Sequence, residues 1–284
     1  MKVIVALLLL CTALGFAQGN LQGKIVATGN GGPLSYVNIG IGNKGIGTVS
    51  DREGRFNLRL ETINDSARVV FSHLGYVPQV HSIASLIHRD NTIFLVPDTT
   101  QLKEVVVKPK ALKQRTIGRK GKGLGLMHHN FYSAKETDVD DRLSKEIGME
   151  FTLRKDCLVQ ALNFNITSNE FKSLKFRINF YRIRDGLPAG LLNTQDIIFD
   201  IGGGALGWFR VDLSDYDLYL KKDLENIGVT LQWLESVKKE DESRYFSLSA
   251  AMGTSRNFFY REKAMDRWVK GKSKLSFYLE AACN

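Results

Sequence analysis

One segment of the chain, "LKFRINFYRI" at residues 174–183, alternates apolar and polar side chains along its length. The apolar face carries Leu174, Phe176, Ile178 and Phe180. The polar face carries Lys175, Arg177, Asn179 and Tyr181. A period of two residues is that of a β-strand with one face in the core. Because strand patterns recur between clusters of Gly, Asn and Asp, and helix patterns are scarce, the sequence predicts an all-β protein.

Strand patterns follow one another closely between residues 21 and 107. They include "GKIVA", "LSYVNIGI", "RFNLRLE", "ARVVFSHLGY" and "NTIFLVP". Runs of this length, separated by turn residues, are typical of a small antiparallel β-sandwich. We therefore place a first domain at residues 18–107.

The acidic stretch "SDREGRF" at residues 50–56 lies between the strand patterns "GTVS" and "RFNLRL". Asp51 can cap a tight turn through its side chain, and Gly54 can adopt the positive φ that ends such a turn. A calcium loop would need more oxygen ligands than Asp51 and Glu53 supply. We interpret the segment as the turn of a structural hairpin.

Residues 21–107 resemble the carboxypeptidase regulatory-like family, in the version found on exported proteins of Gram-negative bacteria. The matching stretches are "GKIVA" (23–27), "PLSYVNIGIGNKGIGTVSDREGRFNL" (33–58), "VVFSHLGY" (69–76) and "LKEVVVKP" (102–109). The resemblance implies a seven-stranded, transthyretin-like β-sandwich without catalytic machinery. It also implies a domain that often precedes other modules, so we expect it to act as a spacer.

A second series of strand patterns runs from residue 147 to residue 284. About ten short strands indicate a jelly-roll-like sandwich. Two stretches, "FYRIRDGLPAGLL" (180–192) and "GWFRVDLS" (207–214), are similar to parts of β-sandwich modules on secreted bacterial proteins. That resemblance implies an adhesive or carbohydrate-associated domain.

The aromatic residues of this second domain are candidates for ligand binding. An aromatic ring can stack on the apolar face of a sugar, whereas a tryptophan in a β-sandwich more often lies in the core. Both interpretations apply to Trp208, Trp233 and Trp268. Trp268 lies between charged residues and is expected to be the most exposed of the three. Tyr181 is a further candidate because it lies on the polar face of its strand. The predicted ligand-binding residues are Trp268, Tyr181 and Trp208.

The first residues, "MKVIVALLLLCTALGFAQ", combine a charged start, a short apolar run and small residues at the exit. This pattern is typical of a signal peptide, which we expect at residues 1–17. No later segment approaches about 18 apolar residues, so we expect no transmembrane segment in the mature chain. The expected location is the periplasm or the outer-membrane or cell surface of a Gram-negative bacterium.

Cleavage there would leave two cysteines, Cys157 and Cys283. Two cysteines in an exported chain are compatible with one disulfide, and the alternative is two separate buried thiols. They lie near the two ends of the second domain, where the first and last strands of a sandwich often pair.

Residues 108–146 are expected to link the two domains. Their first part, 108–122, carries seven basic residues and no acid, within a chain of net charge +9. Such a run can contact an anionic surface, or it can simply be a solvated linker. We expect no nucleic-acid partner, because export separates the protein from nucleic acid.

Two stretches match the pattern G-x-G-x-x-G, at residues 40–45 and 202–207. A dinucleotide site needs a helix after the glycines, because the helix N-terminus holds the pyrophosphate. Each stretch is instead followed by a strand pattern, "IGTVS" or "WFRVDL". We interpret both as loops between strands and expect no cofactor.

Catalytic and metal-binding patterns are equally weak. The adjacent residues His128 and His129 have no third ligand at metal-binding spacing, so no metal site is predicted. A glycosidase needs two carboxylates at a set separation in space, which sequence does not give. Candidates without a local signature are Asp196, Asp200 and Glu235.

These observations favour a non-enzymatic, exported cell-envelope protein. Its regulatory-like domain would be a spacer, and its second sandwich would bind a surface ligand, a glycan or another envelope protein. One alternative is a carbohydrate-active hydrolase that uses carboxylates of the second domain. Another is an assembly component of an envelope complex, because sandwich edges can accept a partner's strand.

Overall fold

The computed structural model describes residues 19–60, 66–87, 89–99, 112–122, 127–132, 136, 138–253 and 257–284. These residues form twenty-two β-strands and one short α-helix. The predicted all-β fold class is therefore confirmed. The expected signal peptide at 1–17 lies outside the described residues. In the part of the chain that the structure describes, no helix has the length and apolar composition needed to cross a bilayer.

Seven strands, as predicted, form the first sandwich. Their bounds are β1 (Gly19–Ala27), β2 (Asn38–Ile41), β3 (Ile46–Val49), β4 (Arg55–Leu60), β5 (Arg68–Ser72), β6 (Gln79–Ser82) and β7 (Asn91–Leu95), with helix α1 (Ile83–Leu86) before β7. One sheet has the order β4-β1-β7 and the other has the order β3-β2-β5-β6. Strand β4 alternates strictly, with Phe56, Leu58 and Leu60 buried. These side chains join one apolar core between the two sheets.

The acidic turn at residues 51–54 has the predicted local geometry. Oδ1 of Asp51 accepts hydrogen bonds from the backbone N–H groups of Glu53 and Arg55, at 2.9 and 2.7 Å. Gly54 has a φ of +76°. The hairpin interpretation is nevertheless wrong, because β3 belongs to the four-stranded sheet and β4 to the three-stranded sheet. The turn is the corner at which the chain passes from one sheet to the other.

The remaining strands form the second sandwich. Their bounds are β8 (Lys113–Gly118), β9 (His128–Asn130), β10 (Glu146–Thr152), β11 (Cys157–Asn169), β12 (Phe171–Arg184), β13 (Leu187–Leu191), β14 (Ile197–Gly202), β15 (Gly207–Asp212), β16 (Tyr219–Leu220), β17 (Asn226–Lys238), β18 (Phe246–Met252), β19 (Phe258–Arg261), β20 (Val269–Gly271), β21 (Ser273–Leu275) and β22 (Phe277–Cys283). The seven-stranded sheet has the order β13-β12-β17-β10-β19-β20, with β14 also paired with β12. The eight-stranded sheet has the order β21-β18-β11-β22-β8, with β15 and β16 on β11 and β9 on β18.

The core of the second sandwich lies between these two sheets. The apolar face of β12 is buried there, as its alternation predicts. Trp233 of β17 is fully buried and contacts the rings of Phe131, Phe171 and Phe176, with centroids 5.3–5.5 Å away. The guanidinium of buried Arg142 lies 4.9 Å from the centroid of the same tryptophan. Trp233 is therefore a core residue.

Part of the expected linker belongs to the second sandwich. Residues 113–118 form β8, which pairs along its length with β22. Residues 128–130 form β9, which pairs with β18. Residues 108–111 lie outside the described part of the chain. The connection expected over 108–146 thus differs from the structure, because residues 113–118 of its basic run add a strand to the edge of a sheet.

The two cysteines of the second sandwich are bonded to each other. Cys157 of β11 lies directly across from Cys283 of β22. Their sulfur atoms are 2.07 Å apart and their Cα atoms 4.1 Å apart. Both residues are buried. The bond fastens the last strand to the long central strand of the eight-stranded sheet.

The first sandwich packs on the outer face of the seven-stranded sheet. Nη2 of Arg177 donates to the carbonyl oxygen of Tyr36 at 3.0 Å, and Nε2 of Gln232 donates to Oδ1 of Asn38 at 2.8 Å. The Tyr36 hydroxyl donates to Glu235 at 2.8 Å. Burial, and then this carboxylate, raise the pKa of Tyr36 to about 12. Polar side chains thus hold the two sandwiches together.

Both glycine-rich stretches connect strands, as predicted. Residues 42–45 join β2 to β3, and residues 203–206 join β14 to β15. The first stretch has a further role at the contact between the sandwiches. A Cβ atom on Gly40 would lie 2.2 Å from the carbonyl oxygen of Ala264, and one on Gly47 would lie 2.7 Å from it. Only glycine permits this approach of two backbones.

Candidate ligand-binding face

The outer face of the eight-stranded sheet carries a group of aromatic and polar side chains. On the central strand β11, Leu162, Phe164 and Ile166 enter the core. Because side chains alternate along a strand, Asn163 and Asn165 lie on the opposite, outer face. The neighbouring strands β15 and β22 place further side chains beside them, and these are Trp208, Arg210, Tyr278 and Glu280. We call these six residues the ligand face.

Two aromatic rings meet across β11. The register pairs Asn165 with Trp208 of β15, and Asn163 with Tyr278 of β22. The centroids of the Trp208 and Tyr278 rings are 5.0 Å apart, at an interplanar angle of 68°. Both residues are half-buried. The edge-to-face contact is a favourable aromatic arrangement that fixes both rings.

Charged groups hold the other end of the face. Nε of Arg210 contacts Oε2 of Glu280 at 3.1 Å, and Nη1 contacts Asp212 at 2.9 Å. Nδ2 of Asn163 donates to Oε1 of Glu280 at 3.1 Å. The Arg210 bond, followed by the N–H of Ser214, lowers the pKa of Asp212 well below its usual range. The solvent-accessible side chains of Arg210, Asp212 and Glu280 can exchange hydrogen bonds with a polar ligand.

The amide of Asn165 is the least satisfied group on the face. Asn165 is 5% exposed, and its Nδ2 atom has no hydrogen-bond partner. An unsatisfied buried donor costs about 1–3 kcal/mol. Because the Nδ2 atom is itself covered, a hydroxyl or carbonyl oxygen beside Trp208 can accept from it only after a neighbouring side chain moves aside. An aromatic surface and an unpartnered N–H donor thus lie next to each other at this position.

A short segment after β8 borders the ligand face. Nζ of Lys120 lies 5.0 Å from the centroid of Tyr278. The backbone beside it is anchored, because Ser276 Oγ donates to the carbonyl oxygen of Gly121 at 2.7 Å, and Ser249 Oγ to that of Lys122 at 2.5 Å. This segment therefore forms a fixed edge of the ligand face and carries the exposed ammonium group of Lys120.

The sequence analysis predicted Trp208 as a ligand-binding residue but did not mark the residues that surround it. The alternation of "LSFYLEA" does place Tyr278 opposite Phe277 and Leu279, and this signal could have marked it as outward-facing. The meeting of Tyr278 with Trp208 depends on the pairing of β15 and β22 with β11. Strands distant in sequence give no local sign of that pairing.

Trp268 and Tyr181 lie elsewhere, on the outer face of the seven-stranded sheet. Their rings contact each other at 5.6 Å, and Trp268 also contacts Phe259 at 5.5 Å and the guanidinium of Arg261 at 4.6 Å. The expected exposure of Tyr181 is wrong, since it is 5% exposed. Its polar strand face is covered by packing from other elements. Trp268 is half-buried and packed on three sides. The structure therefore separates these two residues from Trp208.

Tyr181 instead supports a buried carboxylate. Its hydroxyl donates to Oε1 of Glu146 at 2.9 Å, and Asn179 donates to the same oxygen at 2.8 Å. Thr230 makes a further short bond to that atom. Arg261 binds Oε2 at 2.6 Å. The pKa of Tyr181 is raised far above its ordinary value, by burial and then by the Glu146 charge.

The candidate catalytic carboxylates all have partners. Asp196 binds Nη2 of Arg177 at 2.7 Å, Asp200 pairs with Lys175, and Glu235 accepts from Tyr36. The structure therefore gives each of the three a place in a hydrogen-bond or ion-pair network. No group of three His, Cys, Asp or Glu residues arranged to hold a metal occurs among the described residues.

The two neighbouring histidines face opposite sides of β9. His129 stacks on Phe258 with centroids 3.9 Å apart, and its Nε2 lies 2.6 Å from Ser273 Oγ. Burial, followed by the neighbouring His128, lowers the pKa of His129 to about 4. His129 is thus a packed, neutral residue at ordinary pH, whereas His128 lines a groove on the outer face.

Comparison with protein families identifies the first sandwich. Residues 21–107 match the model of the CarboxypepD_reg-like domain. The resemblance inferred from sequence is confirmed over this range. No curated protein matches the chain.

Three solved structures show distant similarity to this chain. A protein from Bacteroides uniformis ATCC 8492, proposed to bind carbohydrate, is 8% identical, with 81% of this chain and 94% of that chain covered and a TM-score of 0.23. A structure of infectious bursal disease virus, Gx strain, is 9% identical, with coverages of 93% and 65% and a TM-score of 0.21. Carbohydrate-binding modules from the β-sandwich superfamily are 11% identical, with coverages of 84% and 87% and a TM-score of 0.17. TM-scores this low establish neither a common fold nor a common function.

Proposed function

We propose that this chain, whose residues 21–107 are a CarboxypepD_reg-like domain, is a non-enzymatic binding protein of the cell envelope. In this proposal the second sandwich binds a glycan on the ligand face, and the first sandwich is its spacer. The observation that carries the proposal is the contact of Trp208 with Tyr278 beside the unpartnered amide of Asn165. The signal-peptide pattern at residues 1–17 supports an exported location.

The chemistry of the face fits a saccharide. A sugar ring presents C–H groups on one side and hydroxyl groups at its rim, so it needs an aromatic surface next to hydrogen-bonding groups. Trp208 and Tyr278 supply the aromatic surface. Arg210 and Glu280 supply a solvent-accessible donor and acceptor at one end of the face, and Asn165 supplies a further donor once a neighbouring side chain uncovers it. Binding without turnover needs no further group.

Glycan-array binding of the purified mature chain tests the proposal. We expect binding that is lost, by about tenfold or more in affinity, in a Trp208→Ala variant. The matched control is Phe94→Ser, which removes an aromatic residue that is 56% exposed on the first sandwich. We expect the control to bind like the parent protein.

Two results would contradict the proposal. If the folded parent protein binds no glycan, the proposed glycan recognition is wrong. If Trp208→Ala binds glycans as well as the parent protein does, the binding site is not on the ligand face. Hydrolysis of a bound glycan, abolished by replacement of a single carboxylate, would make the protein a glycosidase instead.

A further inference from the structure

We infer that the bound glycan is an extended, uncharged oligosaccharide that continues from the ligand face into a second groove on the same sheet. The inference rests on the proposed function and adds the length and charge of the ligand. The groove has a volume of about 360 Å³ and lies where β9, β11 and β18 meet. Its lining includes His128, Asn130, Thr167, Glu170, Tyr245 and Ser247.

The groove opens on the same side of the sheet as the ligand face. Thr167 follows Asn165 by two residues on β11, and it is exposed. A bulge at Thr167 interrupts the alternation of β11 between Ile166 and Ser168, and Ser168, which also lines the groove, pairs with Ser247 of β18. On β18 the flanking Phe246 and Leu248 enter the core, so Ser247 faces outward. The register of β9 places Asn130 across from Ser247. The two sites are therefore neighbours along β11.

The groove has the same kind of chemistry as the ligand face. Tyr245 is 45% exposed, and its ring is held by Tyr132, with centroids 5.8 Å apart. Oε2 of Glu170 accepts from the backbone N–H groups of Arg244 and Tyr245, at 2.8 and 2.9 Å. The carboxylate is therefore fixed in position. Hydroxyl, amide, imidazole and carboxylate groups thus surround one exposed aromatic ring, as a second sugar site requires.

The charged side chains along the two sites indicate whether the oligosaccharide is neutral or acidic. On and beside the ligand face, the positive charges of Arg119, Lys120 and Arg210 lie near the negative charges of Asp212 and Glu280. The groove adds the carboxylate of Glu170. Among the charged side chains that the structure places along this path by a described contact, positive and negative charges are equal in number. Hydroxyl groups, which exchange hydrogen bonds with both signs of charge, fit it better.

Calorimetric titration with size ladders tests the inference. The probes are oligosaccharides of one to six units from cellulose, xylan and chitin, which are neutral, and from polygalacturonic acid. We expect the affinity for one neutral ladder to rise about tenfold between two and five units. Tyr245→Ala should remove that gain and leave the affinity for the disaccharide unchanged. Trp208→Ala should weaken binding at every length.

A second variant guards against misfolding of Tyr245→Ala. Thr167→Arg fills the groove from an exposed position without removing a core contact, and we expect it to have the same effect on length dependence. Affinity that is flat beyond the disaccharide, or length dependence unchanged in both variants, would overturn the inference and leave the proposed function standing. Preference for the acidic ladder would overturn the charge assignment. Absence of binding to every ladder would count against both proposals.

Discussion

Gly40 and Gly47 permit a close contact between the two sandwiches that the sequence does not predict. The strand pattern that contains Gly47 is confirmed as β3, and Gly40 lies in the preceding strand β2. Their actual neighbour is the backbone at Ala264, more than 200 residues away in the chain. No local pattern connects the two segments, because the contact exists only once both sandwiches have formed.

A methyl group at Gly40 should therefore loosen the contact between the sandwiches. We expect Gly40→Ala to lower the free energy of unfolding by about 1–3 kcal/mol, because the new Cβ would overlap a backbone oxygen that cannot swing away. Urea unfolding followed by circular dichroism measures the change. The matched control is Gly42→Ala in the same hairpin, where a Cβ meets nothing within 4 Å. An equal effect of both changes would contradict this explanation.

His129 should make the stability of the protein depend on pH. Its pKa is about 4 when folded and about 6.5 when unfolded, so the unfolded chain takes up the proton first as the pH falls. The stability is complete above pH 6.5 and is lost progressively between about pH 6.5 and pH 4. The loss due to this residue is on the order of 3 kcal/mol.

A His129→Phe variant keeps an aromatic ring against Phe258 and removes the titrating group. Urea unfolding at several pH values should show a shallower loss of stability than in the parent protein. The pKa of His73 is also lowered by burial, and its contribution has the same sign in both proteins and cancels in the comparison. Identical pH profiles would show that His129 does not carry the effect.

At the scale of strands, the sequence predicts which side chains face the core, but it does not predict which strands pair. The faces of β4 and β12 follow directly from their period of two. The placement of β3 and β4 in different sheets does not, because a short turn can lead either into a hairpin or around a corner. The exposure of Tyr181 was mistaken for the same reason, since a polar face can be covered by another element.

Trp268 belongs to such a covering element. We expect Trp268→Ala to lower the free energy of unfolding by about 2 kcal/mol, because it removes contacts with Tyr181, Phe259 and Arg261. Glycan binding by the folded variant should equal that of the parent protein. Thermal unfolding and the glycan array measure the two effects. Loss of binding with unchanged stability would make Trp268 a ligand-binding residue after all.

The disulfide acts on the last strand, β22, which also carries Tyr278. We expect the double variant Cys157→Ala and Cys283→Ala to be less stable by about 2–5 kcal/mol, because the bond closes a long loop in the unfolded chain. A reducing agent should destabilise the parent protein and leave the double variant unaffected. Urea titrations with and without reductant provide the comparison. An unchanged free energy of unfolding of the parent protein in reductant would contradict the expectation.

At the scale of the molecule, the junction between the sandwiches depends on Arg177. This side chain is 7% exposed, binds Asp196 through two nitrogen atoms and reaches the backbone of Tyr36 in the first sandwich. The alternation of β12 correctly placed Arg177 opposite the core. The partner that covers it could not be inferred, because hydrophilic residues on an outer face look the same whether they meet water or another part of the chain.

We expect Arg177→Met to cost about 3 kcal/mol, because it leaves Asp196 and the Tyr36 carbonyl without their partner. The control is Arg182→Met on the same strand, whose side chain is exposed and whose replacement should stay within about 0.5 kcal/mol of the parent protein. Equilibrium unfolding in urea measures both. A neutral Arg177→Met would mean that the junction does not depend on this side chain and that its other contacts are sufficient.

The first sandwich sits against one broad side of the second, and Trp208 and Tyr278 occupy the other. A partner bound to the first sandwich would therefore be separated from the ligand face by the second sandwich and would leave that face accessible. If the first sandwich were attached to the cell surface, the ligand face would still point away from that surface.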